Sequence, residues 1–109
     1  MSTSGFHITE NGAEIYLQNE SGMELLQLAN QLHDFLRQDR HLPARSLLKA
    51  TDGCEEISRE AFDALAKHRM ENTGEISGVF ELDFDARTFS ALNIMDGWKV
   101  YAMQNVADA

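Results

Sequence analysis

The sequence predicts an α+β domain, an antiparallel sheet covered on one face by two to three helices, and three observations carry the prediction. An Asn11-Gly12 dipeptide sits between two alternating segments near the N-terminus, a helical apolar period fills the middle, and period two returns from Ile76 onward. Strand runs and helix runs are therefore segregated in sequence, which is the arrangement that folds as helices packed on an antiparallel sheet.

The first strands are expected near residues 5–9 and 14–18. Phe6 and Ile8 alternate with His7 and Thr9, and Ile15 and Leu17 alternate with Glu14, Tyr16 and Gln18. Asn-Gly is the strongest short hairpin signal because both turn residues must tolerate positive φ.

Ser21 with Glu24 fits a capping box, and Leu25, Leu28, Leu32 and Phe35 form an apolar stripe that runs to about Asp39. Pro43 fits the first turn of a short second helix through Leu48, closed by Thr51-Asp52-Gly53. Ser58 is expected to cap a third helix, with Ile57 stapled onto Phe62, the stripe Phe62, Leu65, Ala66, Met70 following, and Gly74 as its stop.

The return of period two sorts Ile76, Gly78, Phe80, Leu82 and Phe84 to a core face, and Ser77, Val79, Glu81, Asp83 and Asp85 to water. A turn at Asp85-Ala86-Arg87, a strand from Thr88 to Met95, an Asp96-Gly97 hairpin and a last strand from Trp98 to Gln104 complete a three-stranded meander. Whether the N-terminal hairpin joins that meander is open at this level. The chain, residues 1–109, reads as a single domain with frayed ends near 1–4 and 105–109, since it has no repeat, linker or charge block.

Composition narrows the function classes. Eighteen acids against nine bases give a net charge of −9, which disfavours direct nucleic-acid binding because a phosphate backbone calls for a basic patch. The excess of acid lies at the two ends, with six acids and two bases in each of residues 1–40 and 75–109. No apolar run approaches the ~20 residues of a bilayer span. The N-terminus lacks the pattern of a signal peptide, and Cys54 is the only cysteine, so a reducing cytoplasm is the expected compartment.

Chemistry-bearing residues are sparse. His7, His33, His41 and His68 lack metal-ligand spacing, so no metal or other cofactor is expected. Cys54 is followed by Glu55 and Glu56, and two carboxylates beside a thiol oppose its ionisation. Phosphate-binding and hydrolase motifs are missing, and Asp83-Phe84-Asp85 starts like a calcium loop but has Thr88 and Ile94 where glycine and glutamate are required. An enzyme is not expected.

Two surfaces remain. Glu81, Asp83 and Asp85 are expected on one face of one strand, about 6.5–7 Å apart, a row that resembles the spacing of nucleic-acid phosphates and also describes an ordinary solvated face. Trp98 and Tyr101 on the last strand offer a second patch for a protein partner or a homodimer, or else belong to the core. The leading expectation is a small acidic cytoplasmic protein that inhibits a basic or nucleic-acid-handling partner, as an immunity protein, an antitoxin-like protein or an anti-defence decoy. The alternative is a dimeric chaperone or adaptor that binds a client through apolar surface.

Overall fold

The computed structural model describes residues 3–20, 25–37, 54–71 and 76–103. The capping box at Ser21 and Glu24, the short helix at Pro43, the Thr51-Asp52-Gly53 turn, the Gly74 stop and the C-terminal tail lie outside these residues. The elements in chain order are β1 (Thr3–Glu10), β2 (Ala13–Asn19), α1 (Leu25–Arg37), β3 (Cys54–Ile57), α2 (Arg59–Met70), β4 (Ile76–Asp83), β5 (Thr88–Asn93) and β6 (Gly97–Ala102). They form one six-stranded sheet in the order β3-β2-β1-β4-β5-β6.

The expected antiparallel sheet is corrected to a mixed one. The N-terminal hairpin does join the meander, but β1 pairs with β4 in parallel, His7 beside Glu81 and Ile8 beside Leu82, while the other neighbours are antiparallel. Parallel neighbours need a long crossover, and the segment carrying β2, α1, β3 and α2 supplies it. An added strand, β3, pairs with β2, so the sheet gains an edge where only a turn and a helix cap are expected.

The helices are corrected as well: the described residues hold two, one on each face of the sheet. Leu28 of α1 is buried with Phe6, Ile8, Leu17, Phe80, Leu82, Phe89 and Met103. Phe62 of α2 packs on the opposite face with Ile76, Val79 and Leu92, flanked by Tyr16, Ile57, Leu65 and Ala66. Val79, assigned to water by alternation, is therefore 0% exposed. The register slips between Thr3 and Ser4, which pair with Ile76 and Gly78. The extra residue lets Ile76 join the α2 side instead of the α1 side.

Local chemistry explains the elements that position the site. Asn11 (φ 54°) and Gly12 (φ 76°) both adopt the left-handed conformation that a two-residue hairpin turn requires. Ser58 caps α2 by accepting from the Ala61 N–H at 3.1 Å, and Ile57 packs in the same cluster as Phe62, as a hydrophobic staple should. Gly5 lets α2 approach β1, since a Cβ there would lie 2.9 Å from Leu65 Cδ1 and 3.5 Å from Phe62 Cδ1. No helix among the described residues is long and apolar enough to cross a membrane.

Candidate functional site

The α2 face of the sheet is open at one end. Strand register lines up Tyr16, His7, Glu81, Ser90 and Val100 across β2-β1-β4-β5-β6, and Glu14, Thr9, Asp83, Thr88 and Ala102 form the next row. His7, Thr9, Glu81, Leu82, Asp83, Thr88 and Ser90 line a shallow cavity of about 200 Å³ there. Its floor is built of carboxylates and hydroxyls on three adjacent strands, which hold them at fixed spacing.

His7 organises this floor. Its Nδ1 lies 2.9 Å from Glu81 Oε2 and its Nε2 3.0 Å from Glu14 Oε1, so one ring joins β4 to β2. A doubly protonated imidazole donates to both carboxylates, whereas the neutral ring has a single donor. Tyr16 stacks on the ring with centroids 4.5 Å apart, and Phe62 of α2 meets it edge-on at 5.9 Å. The carboxylates reach solvent: the Glu14 and Glu81 side chains are 56% and 42% exposed, against 15% for His7. The Tyr16 hydroxyl is pushed above its ordinary pKa, first by burial and then by the negative charge of Glu14, with Asp63 and Glu81 adding to it and Arg59 opposing.

The three expected carboxylates do not form one row. Glu81 and Asp83 share the open face of β4, but the strand ends at Asp83 and Asp85 lies in the turn beyond it. Asp83 Oδ1 accepts from the backbone N–H groups of Asp85 at 3.0 Å and Ala86 at 2.9 Å, which tightens that turn. Asp85 reaches across to the first hairpin, where its two oxygens accept from the N–H groups of Asn11 at 2.7 Å and Gly12 at 2.9 Å. Asp85 thus ties the β4–β5 turn to the β1–β2 turn, helped by the Phe84 N–H donating to the Thr9 carbonyl at 2.9 Å. The row fails because alternation holds only while the strand lasts, and a turn redirects the next carboxylate.

Trp98 and Tyr101 fall on opposite faces. Tyr101 is half-buried, stacked on Phe89 at 5.0 Å, with Lys99 Nζ 5.7 Å from its ring centre. Trp98 is 40% exposed opposite Leu92, and Val100 is 64% exposed opposite Ser90. Sequence reasoning missed His7, Glu14, Thr9, Thr88 and Ser90 as a group. The signal available was His7 and Thr9 sharing one face of β1, but only the parallel β1–β4 pairing brings that face beside Glu81 and Asp83.

Cys54 stands apart on β3. Burial raises its thiol pKa, a shift opposed by the Asn19 side chain donating to Sγ at 3.2 Å. Among the described residues no three His, Cys, Asp or Glu side chains are arranged to hold a metal ion. The cavity by His7 offers chiefly hydrogen-bond acceptors under a negative field, complementary to an ammonium or guanidinium group. What the fold and site define is a mixed-sheet domain carrying an acidic hollow beside one helix. No protein-family model, curated protein or solved structure matches the chain.

Proposed function

We propose that this chain is a non-enzymatic cytoplasmic protein that binds a basic protein partner, and inhibits it by occupying the surface that partner uses for nucleic acid or another acidic ligand. The observation that supports this is the hollow itself: Glu81 and Asp83 face outward between the Thr9, Thr88 and Ser90 hydroxyl groups, and His7 joins Glu81 to Glu14. Hydrogen bonds within the protein hold Asp83 and Glu81 in place before any partner arrives, so little ordering cost falls on binding. A net charge of −9 steers a basic partner toward the protein, and a lysine or arginine side chain seats in the hollow.

The test replaces charge while keeping acceptors. Glu14→Gln, Glu81→Gln and Asp83→Asn together remove three negative charges but leave a carbonyl oxygen wherever a donor is now bound. Binding of a labelled arginine-rich peptide, read by fluorescence anisotropy at about 50 and 300 mM salt, should weaken at least ~10-fold in the triple variant and should weaken with salt in the wild type. Equal affinity of variant and wild type, with circular dichroism showing both folded, refutes the reading. Capture from host lysate with salt elution then identifies the partner.

A second reading, a dimeric adaptor that holds a client by apolar contacts, is favoured by the exposed Trp98 and Val100 and by Met95, 86% exposed in the β5–β6 turn.

A further inference from the structure

Among the described residues β3 and β6 are the two edges of the sheet, and they differ in a way that bears on self-association. The β3 edge is four residues long and exposes Glu55 and Glu56, features that discourage another strand from adding there. The β6 edge is six residues long, has no proline and no acid, and carries Lys99 as its only charge. For a chain of net charge −9, two copies approach most easily through the edge that lacks acids.

Backbone geometry shows which groups that edge offers. The Met103 N–H donates to the Arg87 carbonyl at 2.9 Å, one step beyond the Thr88–Ala102 pair of the β5–β6 ladder. Bonded and non-bonded pairs alternate in an antiparallel ladder, so Tyr101 and Lys99 bond to β5 while Trp98, Val100 and Ala102 turn their N–H and C=O groups outward. Their side chains, on the α2 face, include the exposed Trp98 and Val100.

We propose that β6 is a homodimerisation edge, pairing antiparallel with β6 of a second copy across a two-fold axis at Val100. In that register Val100 faces the partner's Val100, Trp98 faces the partner's Ala102, and Lys99 faces the partner's Tyr101. All three outward-turned residues are then bonded, a large side chain meets a small one, and each ammonium lies beside an aromatic ring. Shifting the axis to Lys99 keeps the backbone bonds but sets Lys99 directly against the partner's Lys99, a like-charge pair that destabilises the sheet. The interface is isologous and closed, and it joins two six-stranded sheets into one of twelve strands. Pairing through one six-residue strand makes a small interface, of the kind found in weak, exchanging complexes, so the dimer is expected to be in concentration-dependent equilibrium with the monomer.

This proposal does not rest on the acidic hollow, and salt separates the two: screening weakens capture of a basic peptide but strengthens association of two acidic copies. Sedimentation velocity of the full chain between about 1 and 500 μM should show the monomer converting to dimer, more completely at higher salt. Trp98, the only tryptophan, reports the same transition by a fluorescence shift on dilution. Val100→Pro removes an outward N–H without touching the bonds to β5, and Val100→Glu sets two carboxylates against each other across the axis. Both variants should remain monomeric over the whole range. A wild type that stays monomeric to 500 μM, or a folded Val100→Glu variant that dimerises as the wild type does, overturns the proposal; Val100→Glu carries this test alone if the proline variant does not fold.

Discussion

Replacing Val79 with alanine tests the central correction to the fold. Alternation along β4 sends Val79 to water with Glu81 and Asp83, yet it is 0% exposed beneath α2, packed with Phe62, Ile76 and Leu92. The change removes two methylene equivalents, about 1.6 kcal/mol of transfer free energy at ~0.8 kcal/mol each. A cavity in a site held by a helix on one side and the sheet on the other adds to this, for a total of about 2–3 kcal/mol. At about 4 °C per kcal/mol for a domain of this size, the melting temperature should fall by roughly 8–12 °C. Urea denaturation followed by circular dichroism gives the free energy, and Val100→Ala is the internal control. Val100 lies on the same face but is 64% exposed, so as a monomer it should lose less than about 0.5 kcal/mol. If Val79→Ala and Val100→Ala have equal small effects, α2 does not cover this face and the two-sided core is wrong.

Two further changes probe the ties around the site. Asp85→Ala removes the acceptor of the Asn11 and Gly12 N–H groups, so hydrogen exchange at those amides should accelerate and stability should fall by about 1 kcal/mol, while β4 and β5 amides keep their protection. The raised thiol pKa of Cys54 means that its alkylation by iodoacetamide should be slower at pH 8 than that of a free cysteine, with a pH midpoint above the ordinary 9.0. Because Cys54 and Tyr16 are both raised on folding, each favours the folded state most below its ordinary value and loses that contribution as pH rises through the folded one. Stability should therefore decline above about pH 9, and Cys54→Ser with Tyr16→Phe should flatten the decline.

Much of the local structure was legible because local chemistry determines it. The Asn11-Gly12 turn leaves few alternatives to a hairpin, and Ser58 with Ile57 and Phe62 specifies both the start of α2 and the angle at which the chain enters it. What was not legible depends on partners distant in sequence. The second edge of β1 is filled by β4, more than sixty residues away, and nothing within either segment states that the pairing is parallel. β3 escaped notice because Cys-Glu-Glu-Ile places its two half-buried residues three apart, which is not a strand period, and only the edge of β2 makes it one. On β4 the warning that both sheet faces are covered was Val79: an aliphatic residue alone among Ser77, Glu81 and Asp83 reads as a stray on a wet surface, although α2 sits over it, and Leu92, on the same face of β5 as Thr88 and Ser90, joins it there. Of the candidate site, the carboxylates Glu81 and Asp83 were visible from their alternation, whereas His7 gained a role only through its neighbours.

The same two-sided covering restricts where any partner can bind. Among the described residues, α1 and α2 occupy opposite faces, β3 is a short acidic edge, and the hollow beside His7 and the outer side of β6 are parts of the sheet that no other described element covers. These surfaces are neighbours, since Ser90 at the rim of the hollow pairs directly with Val100 on the edge strand. A dimer formed through β6 therefore brings two acidic hollows onto one continuous sheet face, related by the two-fold axis. A partner with two basic patches at matching spacing would bind that dimer with an affinity beyond what one hollow supplies, because the second contact is intramolecular. Dimerisation and acidic recognition then reinforce each other despite their opposite responses to salt. It follows that peptide affinity measured with the folded, monomeric Val100→Pro variant, which adds no charge beside the hollow, should match the wild type for a short single-site peptide and fall below it for a long peptide that can span both hollows. Equal affinities for the long peptide would mean that the hollows act singly.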